Sequence, residues 1–222
     1  MRRYLLLLVV LCFGGAAAAQ SAAEDLHLKK LNAADQARAK SMLVRKSDLP
    51  AWFRSGRFNL VPNDDSPNPF CTLSAPQLVI TGEAATPDFD RPDGFVSSVG
   101  QVYETLDDAD ASWLFGTSAS GEKCTRDDIA LGTQKAGASV VAAFHRVAFP
   151  RLAQQSVAYR AVLSRSGVRV YSDMVMMQNS RAHAWLVFLR VGAPLSRSFR
   201  LRLARRVAAR MNSAMKNDPN LR

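Results

Sequence analysis

The sequence lacks the short motifs that identify several common enzyme classes. Its 222 residues include only three histidines and three cysteines, and they contain neither an H-E-x-x-H zinc motif nor a G-x-G-x-x-G dinucleotide motif. No segment of about 20 to 50 residues is repeated, and no long linker rich in glycine, serine or proline separates two parts of the chain. These absences exclude repeat architectures and favour one domain.

Only one stretch is apolar enough to engage a membrane, and it lies at the N-terminus. Arg2 and Arg3 precede an apolar run from Leu5 to Phe13, and small residues follow as far as Ala19. This order predicts a secretory signal peptide, residues 1–19, that is cleaved after Ala19. An uncleaved anchor is the alternative, but the run is shorter than the roughly 20 residues that a membrane span needs. We therefore expect a secreted or cell-envelope protein.

Few cysteines remain after that cleavage. Cys12 belongs to the predicted signal and lacks the small preceding residue that lipidation requires, so Cys71 and Cys124 are left. An even pair in an oxidising compartment predicts one disulfide. It would close a loop of about 54 residues and stabilise the fold by about 4 kcal/mol. A metal-binding or catalytic thiol pair is the alternative, but the spacing is too long for C-x-x-C chemistry, and we expect neither a metal nor another cofactor.

The N-terminal half mixes helical and extended patterns. Residues 20–31 are predicted to be a flexible leader, 32–216 a single domain and 217–222 a tail. Asn32 is a typical helix N-cap, and the helix is expected to run to about Lys46. Strands near residues 77–82 and 95–105 flank a predicted loop, TPDFDRPDG. Helices are expected from Asp107 and, as a short one, after Cys124.

The C-terminal half alternates apolar and polar residues from residue 138 onward. Four such segments predict an antiparallel meander, with tight turns at Ser166–Gly167 and Asn179–Ser180. A final helix from Ser196 to about Met215 has one apolar arc, which should pack on the sheet. The fold class is therefore α+β: a twisted antiparallel sheet, with the meander and two or more N-terminal strands, packed by helices.

The net charge of +10 is unevenly distributed. Without the predicted signal, residues 62–137 carry −9 and residues 196–222 carry +7. No exposed aromatic residues are interleaved with the basic ones, so we predict that the protein does not bind nucleic acid. The final helix could instead contact anionic lipid or wall polymer as a peripheral surface. Its candidate contacts are Arg202, Arg205, Arg206, Arg210 and Lys216.

Three features come close to known sites without matching them. GTSASGEK at 116–123 places Glu122 where a phosphate-binding loop needs lysine, and it is one residue too long for a G-x-S-x-G nucleophile elbow. Asp88, Asp90 and Asp93 resemble a calcium loop with the wrong spacing. His145 and His183 alternate with apolar residues on predicted strands and lack a suitable nucleophile nearby. No catalytic residues are predicted, and a hydrolase is the third-ranked function.

Several stretches together resemble known secreted proteins. They are DLPAWF at 48–53, LVITGEAATPDF at 78–89, VSSVGQVYETLDDADASW at 96–113, FPRLAQQSVAYR at 149–160 and LARRVAARM at 203–211. The pattern is similar to uncharacterised actinobacterial secreted proteins and, more distantly, to the extracellular sensor domain of mycobacterial PknH-type kinases. That resemblance implies a PsbP-like α+β fold that binds or senses outside the cell, although this chain has no kinase domain.

We therefore expect a binding or sensor-like module that performs no catalysis. Its ligand would be a small apolar or amphipathic molecule, or a cell-envelope component, held in a groove between the sheet and a helix. An envelope protein that contacts anionic lipid or polymer through the arginine-rich final helix is the alternative function.

Overall fold

Helices and strands are mixed in the computed structural model, which describes residues 28–55, 77–135, 140–165 and 167–218. Within these ranges, four α-helices accompany a twisted, mostly antiparallel sheet of nine strands, so the predicted α+β class is confirmed. The helices are α1 (Ala33–Met42), α2 (Leu106–Thr117), α3 (Ala119–Lys135) and α4 (Arg197–Met215). The strands are β1 (Leu28–Lys29), β2 (Arg54–Ser55), β3 (Val79–Ala85), β4 (Phe89–Arg91), β5 (Gly94–Tyr103), β6 (Val140–Arg146), β7 (Gln155–Arg165), β8 (Val168–Asn179) and β9 (Ala182–Val191).

The sheet joins the predicted meander to the N-terminal strands. Its order is β1-β3-β5-β9-β8-β7-β6, with β4 pairing both β5 and β2. Strand β1 is parallel to β3, and the other described pairs are antiparallel. The two predicted tight turns are found at, or within one residue of, the expected positions. Gly167, with a φ of 79°, lies between β7 and β8, and the turn between β8 and β9 consists of Ser180, with a φ of 56°, and Arg181, one residue later than predicted. A positive φ is typical of two-residue hairpin turns.

The N-terminal half departs from the predictions in four places. Leu28 and Lys29 of the predicted leader form β1, and the predicted loop 86–94 contains β4, which a short turn connects to β5. Helix α1 begins at the predicted cap but ends at Met42, because the backbone N–H of Val44 donates to Ser98 Oγ at 2.9 Å and draws the chain onto the sheet. Helix α3 begins at Ala119, not after Cys124, and it extends to Lys135, so it is longer than the short helix that was predicted.

Helices α1 and α4 pack on one face of the sheet. The predicted apolar arc of α4 is buried as expected, from Phe199 to Met215, and it forms one core with residues of β5, β8 and β9. The Ser196 side chain accepts a hydrogen bond from the Phe199 N–H and caps the helix. Arg200, which interrupts the apolar arc, is buried and lies 3.2 Å from Asp173 of β8.

Helices α2 and α3 lie on the opposite face. Ala109 of α2 packs with Tyr103 in one small apolar cluster, and Ile129 of α3 packs with Leu163 and Leu189 in another. Helix α2 begins at an N-cap, Thr105, whose side chain accepts from the Asp108 N–H at 3.0 Å. Thus helices cover both faces of the sheet, and the α2 side forms a cleft with the loop before β7.

Candidate functional site

An open cleft of about 530 Å³ lies between the end of α2 and the start of β7. This volume is within the usual range for small-molecule sites. Three apolar side chains and six polar or charged ones line it. The apolar group is Trp113, Phe149 and Val157, and the polar group is Thr117, Arg146, Arg151, Gln154, Gln155 and Ser156.

One wall of the cleft is fixed by a charged network with α3. Arg146 Nε donates to Glu122 Oε1 at 2.5 Å, and another nitrogen of the guanidinium donates to the Thr117 carbonyl. The buried Tyr159 hydroxyl donates to the same Glu122 oxygen at 3.1 Å. Burial, followed by the nearby Glu122 charge, raises the pKa of Tyr159 to about 12. Tyr159 therefore stays neutral and acts as a hydrogen-bond donor that helps hold the wall together.

The opposite rim carries a positive charge. Arg151 is exposed, and its Nε donates to the Gln154 carbonyl at 2.7 Å. Among the described residues, no hydrogen bond engages its terminal guanidinium nitrogens, which could therefore bind a ligand. Gln155 Nε2 donates to Gln178 Oε1 at 3.0 Å, and Gln178 in turn donates to Asp110 of α2 at 2.5 Å. This chain of side chains ties the start of β7 to α2, so the two sides of the cleft are held together.

The residues of this cleft were not identifiable from the sequence, which predicted only a groove between the sheet and a helix. The loop residues Phe149, Arg151 and Gln154 lie in FPRLAQQSVAYR, a stretch that carries the family resemblance. The sequence pattern that could have indicated them is the segment between two predicted strands in which an aromatic residue and an arginine flank Pro150. Trp113 and Thr117 come from a distant segment, and only the fold places them opposite.

The two described histidines lie in different environments, and His27 is outside the described residues. His145 is exposed, whereas His183 is 1% exposed, and its ring lies edge-on to Tyr103 and Trp113. Burial lowers the pKa of His183 to about 3, an effect that the Ala109 backbone offsets only in part. Within the described chain, neither histidine is hydrogen-bonded to a serine, threonine or carboxylate side chain. A histidine paired with a hydroxyl or a carboxylate, as in a serine-hydrolase triad, is therefore not found among these residues.

The acidic residues that resemble a calcium loop do not form a metal site in the described structure. The Asp93 carboxylate is bound by Arg91 and Arg190, the latter at 2.8 Å. Burial, and then the neighbouring Asp90 charge, raises the pKa of Asp88 to about 6. Among the described residues, no group of three metal-binding side chains is close enough to hold an ion. Asp93 is therefore part of a charge pair that fixes the β4–β5 hairpin to β9.

The five basic residues predicted to contact an anionic surface fall into two groups. Arg210 donates to both oxygens of Asp48, at 2.6 and 2.7 Å, and Arg206 approaches the same carboxylate at 3.4 Å. The other three are exposed: Arg202 and Arg205 lie on the helix, and Lys216 follows its last residue. Arg210 therefore joins α4 to the turn after α1, while the remaining cations face solvent.

A buried charge cluster was not predicted. Arg181 is 1% exposed and donates to Asp35 at 2.8 and 3.0 Å and to Asp218 at 2.5 and 2.9 Å. Burial by itself would raise the pKa of Asp35, but hydrogen bonds from Arg181, Thr81 and neighbouring residues hold it well below its usual range. Asp218 lies in the predicted tail, so that segment contributes directly to the fold.

The predicted disulfide stays a prediction. Cys124 lies partly buried in α3, whereas Cys71 is outside the described residues, as is the whole predicted signal peptide. In the ranges that the structure describes, no helix combines the length and the apolar character that crossing a membrane would require.

Comparison with known proteins adds no family to these observations. No protein-family model matches the chain, and no curated protein or solved structure is significantly similar to it. The resemblance to the kinase sensor domains therefore stays a prediction from the sequence.

Proposed function

We propose that the protein is a ligand-binding module whose cleft holds a small amphipathic molecule with an anionic group. The observation that supports this most directly is the composition of the cleft. Trp113, Phe149 and Val157 offer apolar contact, while Arg151 at the rim offers a charge that no described carboxylate neutralises. Buried apolar contact supplies affinity, and a guanidinium can bind a carboxylate or phosphate through two parallel hydrogen bonds.

The protein is proposed to bind its ligand rather than to transform it. The cleft contains Ser156 and Thr117, but their hydroxyls are used internally: Ser156 Oγ accepts from the Leu152 and Ala153 N–H groups, and Thr117 donates to the Trp113 carbonyl. Neither hydroxyl has a histidine as a base within hydrogen-bond distance in the described chain. A serine or threonine nucleophile is activated by an adjacent general base, most often a histidine.

The ligand class can be tested with two amphiphiles that share one tail and differ in charge. Dodecanoate and dodecyltrimethylammonium would be titrated into the purified protein by isothermal calorimetry below their micelle concentrations. We expect dodecanoate to bind and the cation not to bind. Equal binding of both, or of neither, would contradict the proposal of an anionic amphiphile.

Variants locate the binding in the cleft. Arg151→Gln should weaken dodecanoate binding by about tenfold or more, because a hydrogen bond to a charged group typically contributes about 1.5 to 3 kcal/mol. Val157→Trp should block it, because a β-strand tolerates the indole and the side chain would fill the apolar floor. Arg169→Gln removes an exposed charge elsewhere and is the matched control. If this control lost as much affinity as Arg151→Gln, the binding would lie outside the cleft.

A further inference from the structure

Acidic side chains are buried throughout the layer formed by α1 and α4. The described residues 30–55 and 192–218 contain three carboxylates, those of Asp35, Asp48 and Asp218. Their side chains are 4%, 4% and 0% exposed, and arginines bind each of them. The negative charge of this layer is therefore hidden from solvent.

The two helices lie side by side in opposite directions. Arg181 bridges Asp35, near the start of α1, to Asp218, just beyond the end of α4. At the other end, Arg210 binds the Leu43 carbonyl and Asp48, which follow α1. The turn after α1 is thus held against the middle of α4.

As a result, exposed cations of α4 and of the turn after α1 lie near one another. The basic face, as we define it, consists of Arg45, Lys46, Arg202, Arg205, Arg206 and Lys216, all of them exposed. Arg202 to Lys216 spans about 21 Å along the helix axis. Arg206 is shared with the buried Asp48, and the described chain brings no carboxylate within ion-pair distance of the other five. The sequence predicted part of this face on α4, and the fold adds Arg45 and Lys46 to it.

The opposite layer, formed by α2 and α3, has a net negative charge, because residues 104–135 contain seven acidic and three basic residues. Asp107 and Asp108 begin α2, and the neighbouring Glu104 is 45% exposed. The ligand cleft is on this α2 side of the sheet. A surface bound to the basic face would therefore leave the cleft open to solvent.

We propose that the basic face docks the protein on an anionic phospholipid surface. A row of cations along a helix, extended by two more beside it, offers multiple charges to headgroups that lie in one plane, and each basic residue near such a surface adds to the affinity. No aromatic side chain is exposed among the described residues of α4. Stacking on single-stranded nucleic acid, which relies on such residues, therefore finds no platform on this helix. This inference does not depend on the identity of the cleft ligand.

Sedimentation with vesicles tests the proposal. The purified protein would be mixed with vesicles of phosphatidylglycerol and phosphatidylcholine, or of phosphatidylcholine alone, at about 50 mM and about 500 mM salt. We expect binding to the anionic vesicles only, and its loss at high salt, because screening weakens surface charge attraction. Insertion of an apolar segment would persist at high salt and on neutral vesicles, and that result would overturn the proposal.

Two double variants test the basic face, and a third with the same change in charge is the control. Arg202→Gln with Arg205→Gln should lower the vesicle partition coefficient by about tenfold or more. Arg45→Gln with Lys46→Gln should also lower it, which separates the two-segment face from a contact through α4 alone. The control is Lys123→Gln with Arg126→Gln, which removes two exposed cations from α3 on the opposite layer. All these residues are at the surface, so the melting temperatures should stay close to that of the parent.

Other outcomes overturn the assignment. If the α3 variant lost as much binding as the α4 variant, the attraction would reflect total charge and not this face. If Arg45→Gln with Lys46→Gln had no effect, the two-segment face would be refuted. Tighter binding of duplex DNA than of anionic vesicles at equal salt would assign the face to nucleic acid.

Discussion

At the scale of single residues, His183 couples stability to pH. Its folded pKa of about 3 lies below the ordinary value of 6.5, so the unfolded chain binds a proton more readily than the folded one. Stability from the neutral ring is complete above pH 6.5 and is lost as the pH falls toward 3. The ring is packed between Tyr103 and Trp113, which also lines the cleft. Acid should therefore weaken the packing behind the ligand site.

Replacing His183 by phenylalanine should remove this dependence. The parent is expected to lose up to about 3 kcal/mol of unfolding free energy between about pH 7 and about pH 4.5, since one pKa unit corresponds to 1.36 kcal/mol. His183→Phe keeps a ring in the same pocket and cannot be protonated. Urea unfolding at both pH values would measure the difference. An equal loss in the variant would show that other groups cause the acid sensitivity.

At the scale of secondary-structure elements, two glycines allow α1 to approach the sheet. A Cβ on Gly82 of β3 would collide with the Asp35 backbone, and one on Gly100 of β5 would lie 2.7 Å from the Ala39 carbonyl oxygen. The helix therefore contacts the strands through its own backbone. Because the nearest atoms belong to the backbone, no flexible side chain could move aside to make room for an added Cβ.

Gly100→Ala should destabilise the protein by about 1 to 3 kcal/mol, the usual cost of overpacking a core. Gly116→Ala is the matched control, because a Cβ there would meet only the flexible end of Met176 at 3.3 Å and alanine favours a helix. Thermal unfolding of both variants would measure the difference. Equal melting temperatures would contradict the close approach of α1 to β5.

At the scale of the whole molecule, Arg181 joins three distant parts of the chain. It lies in the turn between β8 and β9 and binds α1 through Asp35 and the C-terminal segment through Asp218. Removing the arginine would take from Asp35 and Asp218, both buried, the guanidinium that donates to both oxygens of each carboxylate. Breaking a buried ion pair in this way typically costs about 3 to 5 kcal/mol.

Arg181→Met should therefore lower the unfolding free energy by about that amount at neutral pH. Protonation of Asp35 and Asp218 should reduce the deficit in acid, because a neutral carboxyl is less costly to bury. Denaturant unfolding of Arg181→Met and of the exposed-site control Arg169→Met would test both expectations. A deficit that did not shrink with acid would mean that the lost packing of the side chain, and not its charge, causes the effect.

The elements that were predicted correctly depend on local physics. Alternating residues between 140 and 191 define the meander, and Asn32 and Ser196 cap helices through hydrogen bonds to residues three positions away. The apolar arc of α4 also follows from helical spacing alone. Strand β4 was missed because its three residues lie between two prolines, Pro87 and Pro92, a pattern typical of a loop.

By itself, the sequence determined the α+β class, the C-terminal sheet and helix, and the cationic character of α4. Only the tertiary structure decided which charges are exposed and where a cleft forms. Arg181 and Asp35 are separated by 146 residues in the chain, and the cleft combines α2 with a loop that comes after an intervening helix and strand. Contacts of this kind depend on how the sheet is ordered and which face each helix covers. Residue periodicity, which reports only one element at a time, carries no information about either.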